Sequence, residues 1–255
     1  MASHDETPSR PTGSAPPATD RDAQSPAQTQ LSDAQLAAAL ARVSLPGSFA
    51  CLLPELRGHR VLDLGCNQGD YLQFCGPGSL GLDVSAQSVA ACRARGLLAQ
   101  QHDLNQLPLP VPNHSFDTAL VSHVLEHVHA PLLLLREVSR ALRPGGRLVV
   151  GLPIEDSLYS RLRMNYYGGG EGHIYSFSRP NLRKLLHLCG FADPRFVCHL
   201  PRLGNQTSGL TKSLNQQLLR FVPAALLYPL SAAYWCLATK VQEPQPDHAF
   251  SDYFK

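Results

Sequence analysis

Short continuous apolar runs alternate with longer amphipathic stretches through the middle of the chain. The apolar runs predict strands at 60–64, 79–83, 97–101, 116–121 and 146–151. The stretches between and after them predict helices at 69–75, 86–95, 130–142 and 179–188. Strands without apolar–polar alternation are typical of a parallel sheet that is covered by helices on both faces. The pattern therefore predicts an α/β fold, a doubly wound Rossmann-like sandwich with helices on both faces.

The last third of the chain is less regular. Strands at 196–200 and 234–240 complete a mostly parallel, seven-stranded sheet, and an apolar helical insertion at about 205–232 separates them. The segment 221–239 has no charged residue and is nearly long enough to span a bilayer. Because it contains Pro223 and Pro229, we favour a helix followed by a strand. Peripheral membrane contact through about 214–239 is the alternative.

The N-terminal stretch differs from the rest in composition. Residues 1–30 have almost no large apolar side chains and are predicted to be a disordered tail. A helix at 31–42 follows, and 31–255 is predicted to form one domain. The net charge of +2 does not require a polyanionic partner. Seven scattered cysteines without a CxxC pair and the absence of a secretory leader pattern predict a cytoplasmic protein with reduced thiols.

A glycine-rich turn follows the first strand. It reads Asp63-Leu-Gly65-Cys66-Asn67-Gln-Gly69, and the second strand ends in Asp83. Glycines allow a ligand to lie directly on the backbone, and asparagine tolerates the left-handed conformation that a middle glycine would adopt. Two acidic residues at neighbouring strand ends beside such a turn predict a site for a nucleotide-like cofactor.

These elements, with His102-Asp103-Leu104 and the fourth-strand stretch 116–127, resemble the class I S-adenosylmethionine-dependent methyltransferases in residue type and order. The likeness is to the broad subgroup that contains ubiquinone- and menaquinone-type and small-molecule methyltransferases. It implies that 31–255 is a methyltransferase domain and that S-adenosylmethionine is the co-substrate. The residues that it implies for cofactor binding are Asp63, Gly65, Cys66, Asn67, Gly69, Asp83, Val84, Asp103, Leu104, Ser122 and His123.

The resemblance also implies a role for each acidic residue. Asp63 would neutralise the amino or sulfonium charge of the cofactor. Asp83 would accept hydrogen bonds from both ribose hydroxyls. Asp103 would accept from the adenine amino group, while the backbone amide of Leu104 meets a ring nitrogen. Without a ligand, Asp103 would be an ordinary turn-capping aspartate.

Two histidines are the candidate catalytic residues. His127 follows the fourth strand and is the first candidate for a general base or a group that orients the acceptor. His173 lies in a Gly-His-x-x-x-Phe stretch, which faces the active-site cleft in the family. The segment 161–177 would cover the acceptor, with Gly168–Gly170 as a hinge and with Tyr166, Tyr167 and Tyr175 as further lining residues.

The expected activity is methyl transfer to oxygen or carbon of a small or lipophilic acceptor. Enzymes that methylate nucleobase or amide nitrogens often have an Asn/Asp-Pro-Pro-aromatic motif after the fourth strand. Residues 122–125 of this chain read Ser-His-Val-Leu instead, so a nucleic-acid partner is not favoured.

Other functions make different demands on the same residues. An NAD-dependent dehydrogenase would require G-x-G-x-x-G, which the glycine turn does not match. A non-catalytic cofactor-binding module is one alternative. A zinc hydrolase using His123-x-x-Glu126-His127 is another, although we expect no metal; it requires both histidines on one helix face.

Overall fold

The structure is a computed structural model that describes residues 52–155, 157–158, 172–199, 226 and 228–244. Several expectations lie outside these ranges. They are the tail at 1–30, the helix at 31–42, the hinge Gly168–Gly170, the tyrosines Tyr166 and Tyr167, and most of the insertion at 205–232.

Seven strands form one mixed sheet in the order β3-β2-β1-β4-β5-β7-β6. Only the pairs that β7 forms with β5 and β6 are antiparallel among these strands, so the predicted mostly parallel, seven-stranded sheet is confirmed. The strands are β1 Val61–Leu64, β2 Leu80–Asp83, β3 Ala99–Gln101, β4 Phe116–Ser122, β5 Leu142–Pro153, β6 Phe191–His199 and β7 Ala233–Lys240. Within the described ranges the α-helices are α1 Leu53–Leu56, α2 Ala86–Ala94, α3 Pro131–Ala141 and α4 Arg179–Leu188.

The two faces of the sheet bury two separate apolar clusters. Successive strand residues point to opposite faces, so Leu62 and Leu148 join one cluster while Val61 and Val149 join the other. Helices α3 and α4 cover the first face, and α1 and α2 cover the second. This division explains the continuous apolar strand sequences, because both faces are buried. The predicted doubly wound sandwich is confirmed.

Three predicted elements differ from the structure, and one of them is strand β6, which begins at Phe191 rather than at 196. The expected helix at 69–75 is wrong, since this stretch contains only a short 3₁₀ helix, Leu72–Phe74. Gly69, the first residue of this stretch, adopts a left-handed φ of +79°, which an α-helix does not allow. Strand β5 begins at Leu142 rather than 146, because Leu142 already pairs with Phe116 ahead of an irregularity in the register.

The end of the uncharged segment lies inside the sheet. Tyr234, Trp235 and Cys236 of β7 are buried between β5 and β6, so this part of 214–239 is not available to a membrane. Among the residues with described positions, no helix combines the length and the apolar character that crossing a bilayer requires. Contact through the remaining residues of that segment stays a prediction.

Candidate active site

The predicted cofactor residues converge at the carboxyl ends of the central strands. Leu64, the last residue of β1, lies in register with Leu82 of β2 and Val121 of β4. The loops that follow these three parallel strands therefore leave the sheet at the same edge. The sheet order reverses at β1, and such switch points form the crevice in which open α/β sheets bind ligands.

The glycine turn adopts the backbone conformation that its residues predict. Gly65, Asn67 and Gly69 all have positive φ, at +69°, +45° and +79°. A Cβ on Gly65 would lie 2.6 Å from Cγ2 of Val124, so this turn packs directly against the loop after β4. Asn67 therefore takes the left-handed position of the missing middle glycine, as predicted.

Asp63 is the most unusual residue of the site. Its side chain is only 1% exposed, and its Oδ2 has no hydrogen-bond partner within the described part of the chain. Burial, together with the nearby charge of Asp83, raises the pKa of this carboxyl group to about 8. A buried carboxyl oxygen without a donor suits a cationic group of a ligand. The residues thus fit the ammonium or sulfonium group of S-adenosylmethionine.

Asp83 joins the glycine turn to the second strand. Its Oδ2 accepts from the backbone N–H of Asn67 at 2.8 Å, and its Oδ1 accepts from the N–H of Ser85 at 2.9 Å. Each carboxylate oxygen has two lone pairs, so these bonds leave acceptor capacity for two hydroxyls. The N-cap of α2 is Ser85, whose hydroxyl oxygen accepts from the backbone N–H of Ser88. Val84, beside Asp83, is 64% exposed and presents an apolar surface at the same edge.

Asp103 caps a turn after β3. Its Oδ1 accepts from the backbone N–H of Asn105 at 2.9 Å and from the side-chain Nδ2 of Asn105 at 3.1 Å. Oδ1 of Asn105 in turn accepts from the backbone N–H of His129 at 2.8 Å. Asp103 thus makes the turn-capping interaction that the sequence predicted for it in the absence of a ligand. The bond between Asn105 and His129 connects this loop to the loop after β4. Leu104 is partly buried against the core beside it.

Cys66 contributes a buried thiol to the turn. Burial is the largest cause that raises the pKa of this thiol, and the Sγ of the neighbouring Cys92 donates to the carbonyl oxygen of Asn67 at 3.2 Å. Protonated, buried thiols are poor nucleophiles. Cys66 is therefore part of the packing under the turn, and only its backbone is suited to line a ligand.

The loop after β4 begins with a strained residue. Ser122 ends the strand, and His123 has a φ of +54° while its N–H donates to the carbonyl oxygen of Gly151 at 2.9 Å. Strained non-glycine residues are frequent at functional sites. Residues 123–127 form a bend and turns rather than a helix. The zinc-hydrolase alternative therefore lacks the helical face that its motif requires.

Two histidines and a missed carboxylate meet beside this loop. The rings of His127 and His173 contact each other edge to face, with centroids 4.8 Å apart. Nδ1 of His173 lies 2.6 Å from Oε1 of Glu155. Sequence reasoning did not single out Glu155, although an acidic residue just after the fifth strand was a signal for it. The two predicted catalytic histidines are thus adjacent, and one is oriented by a carboxylate.

The segment before α4 is held against the same loop. The carbonyl oxygen of Glu126 accepts from the N–H of Ile174 at 2.7 Å and from that of Tyr175 at 3.2 Å. The Tyr175 hydroxyl donates to the carbonyl oxygen of His129 at 2.9 Å. These bonds place Tyr175, a predicted lining residue, and His173 beside the carboxyl edge of the sheet.

Comparison with known proteins identifies the family. A family model described as a methyltransferase domain matches residues 30–193. A solved SAM-dependent methyltransferase from Archaeoglobus fulgidus covers 75% of this chain and 91% of its own, with a TM-score of 0.58 and 22% identity. The chain belongs to the class I S-adenosylmethionine-dependent methyltransferases. The resemblance inferred from sequence is confirmed, and S-adenosylmethionine is the co-substrate of this family.

Two relatives of this methyltransferase differ in their acceptors. A tRNA U34 carboxymethyltransferase of Desulfotalea psychrophila is 30% identical over 161 residues, which cover 58% of this chain and 50% of the relative. A 27-O-demethylrifamycin SV methyltransferase of Amycolatopsis mediterranei is 30% identical over 121 residues, covering 44% of each chain. The matches span about half or less of both relatives.

Proposed function

We propose that this methyltransferase transfers a methyl group from S-adenosylmethionine to an oxygen or carbon atom of a small or lipophilic acceptor. The observation that carries the use of this cofactor is Asp63, whose buried Oδ2 has no partner in the described part of the chain and lies in β1 just before the glycine turn. A carboxyl group in this state gains most from a ligand that brings a positive charge. The cofactor has such a charge, whereas the NAD phosphates are anionic.

The other predicted cofactor residues lie at the same carboxyl edge of the sheet. Asp83 would accept the ribose hydroxyls with the lone pairs that Asn67 and Ser85 do not use. Exposed Val84 would pack against the adenine, and Asp103 with the amide of Leu104 would recognise its edge. Gly65, Cys66, Asn67, Gly69, Ser122 and His123 would line the site mainly with backbone atoms.

On the acceptor side, we assign the chemistry to His127 and His173. Bound S-adenosylmethionine supplies a methyl carbon attached to a positively charged sulfur. When the acceptor attacks this carbon, the carbon–sulfur bond breaks and its electrons go to the sulfur. The acceptor atom provides the electron pair of the new bond. His173, oriented by Glu155, and its neighbour His127 position the acceptor and take up its proton.

A tRNA acceptor is the second candidate, because one relative is named as a tRNA carboxymethyltransferase. The sequence Ser122-His123-Val124-Leu125 and the net charge of only +2 favour the small acceptor instead. The two candidates can be separated by measuring release of S-adenosylhomocysteine. The acceptors to compare are phenolic, hydroxylated and quinol-type compounds on one side and unmodified tRNA on the other. Turnover with tRNA alone would contradict the proposed acceptor class. Cofactor binding without turnover of any acceptor would favour the non-catalytic module.

We predict that His127→Ala slows methyl transfer by about 10²-fold or more, the usual scale of general acid–base catalysis. The affinity for S-adenosylhomocysteine should stay within about twofold of wild type, because the predicted acidic contacts Asp63, Asp83 and Asp103 lie on other strands and loops. Single-turnover rates and calorimetry measure the two quantities. His187→Gln, an exposed histidine on α4, is the matched control and should have the wild-type rate. A wild-type rate for His127→Ala would remove His127 from the mechanism.

A further inference from the structure

Glu126, His127 and His173 form a compact set of metal-ligating groups. Each residue offers one ligand atom, and the three atoms lie within 4.8 Å of one another. In a tetrahedral site with zinc–ligand bonds of about 2.0–2.2 Å, ligand atoms lie roughly 3.4 Å apart. Small side-chain rotations would therefore bring these atoms to bonding distance of one ion.

The state of Glu126 is an independent indication of a cation. Its side chain is fully buried, and its Oε2 has no hydrogen-bond partner in the described part of the chain. Its Oε1 lies 3.2 Å from Nδ1 of His123. Burying a carboxylate oxygen with neither a donor nor a cation is costly. A metal ion bound at this oxygen would remove that cost.

Both histidines have the outer contacts that metal-binding histidines usually have. Nδ1 of His173 lies 2.6 Å from Oε1 of Glu155, and Nδ1 of His127 lies 3.3 Å from the carbonyl oxygen of Gly172. Such partners fix the orientation and the tautomer of a metal-binding imidazole ring. The hydrogen bonds from Ile174 and Tyr175 to the Glu126 carbonyl hold the two halves of the set together.

We propose that Glu126, His127 and His173 bind a first-row divalent transition-metal ion such as Zn²⁺. Two imidazoles and one carboxylate suit such ions, whereas Mg²⁺ and Ca²⁺ prefer oxygen ligands. This set differs from the His123-x-x-Glu126-His127 motif, because His173 takes the place of His123. Three protein ligands leave a coordination position open, as in catalytic rather than structural sites.

The open position gives the site a role that rests on the proposed function. A hydroxyl oxygen of the acceptor would occupy it, and the cation would lower the pKa of that hydroxyl. The hydroxyl proton would pass to water, and the oxygen lone pair would form the bond to the methyl carbon as the carbon–sulfur bond breaks toward sulfur. With an ion bound, His127 and His173 act as ligands rather than as bases. The acceptor is then a hydroxyl compound rather than a carbon nucleophile.

Calorimetric titration of the untagged, chelator-treated full chain with Zn²⁺ tests the metal site. We expect one ion per chain, with affinity at least tenfold weaker in Glu126→Gln and in His173→Asn. His187→Gln, the exposed control histidine, should bind as wild type does. His173→Asn keeps the test valid if the buried substitution Glu126→Gln does not fold. No stoichiometric binding, binding unchanged in a folded variant, or equally tight binding of Mg²⁺ would overturn the site.

A second titration of the same metal-free protein with S-adenosylhomocysteine separates the two proposals. Binding of S-adenosylhomocysteine without any Zn²⁺ binding would overturn the metal site and leave the proposed methyl transfer intact. Zn²⁺ binding that depends on His173, without S-adenosylhomocysteine binding, would support the metal site and contradict the proposed function.

Discussion

At the scale of single residues, Asp63 combines deep burial with an ionisable side chain. Its carboxyl group is buried at the end of β1 near Asp83, and its pKa is raised to about 8. In the free protein at neutral pH, this group is mostly protonated. A bound cation reverses the balance, because it favours the ionised form. Binding of a cationic cofactor should therefore release a proton.

We predict that S-adenosylmethionine affinity rises as pH increases from 6 to 8, by up to about tenfold per pH unit, and then levels off. Below a pKa of about 8, binding must first expel the Asp63 proton, and above it the carboxylate is already ionised. Calorimetry across this range measures the effect. Asp63→Asn should bind more weakly and without this pH dependence. A pH-independent wild-type affinity would contradict the assignment of Asp63.

The raised pKa of Asp63 also affects the stability of the free protein. Stability falls as pH rises, whereas cofactor affinity is predicted to rise. The pKa of Asp63 in the folded state is above its ordinary value of 3.8. Between these values the folded state holds a proton that the unfolded state has released, so this group lowers the free energy of unfolding as pH rises toward 8. The site thus reduces stability in exchange for charge complementarity to its ligand.

Sequence identified residues whose role depends on local pattern, and it missed those that depend on distant neighbours. Asp63 and Asn67 follow from one strand and one turn, and Asn67 has the left-handed φ that was expected. Glu155 becomes informative only because the fold places it 2.6 Å from His173. The burial of Glu126 likewise arises from the packing of two segments that are separate in the sequence.

At the scale of elements, the glycine turn connects two strands with the loop after β4. Gly65 donates its N–H to the carbonyl oxygen of Leu82, and its α-carbon faces Val124. The predicted helix at 69–75 was wrong, because the pattern of apolar residues does not reveal that Gly69 adopts a left-handed backbone conformation. The apolar residues Leu72 and Phe74 are nevertheless buried.

We predict that Gly65→Ala destabilises the protein more than Gly96→Ala does. Both glycines have a left-handed φ, at +69° and +74°, so each alanine incurs a backbone cost of about 1–2 kcal/mol. A Cβ on Gly65 also lies 2.6 Å from Val124, whereas a Cβ on Gly96 has no atom within 4 Å. Urea unfolding measures both variants. Equal losses would show that the contact between the turn and the loop is unimportant.

At the scale of the whole molecule, topology brings separate sequence segments to one edge. Strands β1 to β5 are parallel, and β7 lies antiparallel between β5 and β6. This order was only partly predictable. Composition and periodicity indicated seven strands and two covered faces, but pairing of β7 depends on burial of Tyr234 and Trp235 between its neighbours. The loops after β1, β2 and β4 therefore surround one crevice. The proposed cofactor site and the proposed metal site both lie at this crevice.

The most direct test of cofactor use is calorimetric titration of the purified protein with S-adenosylmethionine and S-adenosylhomocysteine, with NAD as the control. We predict one site with micromolar affinity for the first two compounds and no detectable binding of NAD. Absence of binding by either sulfur compound, or preferential binding of NAD, would contradict the assignment of Asp63, Asp83 and the glycine turn to an S-adenosylmethionine site.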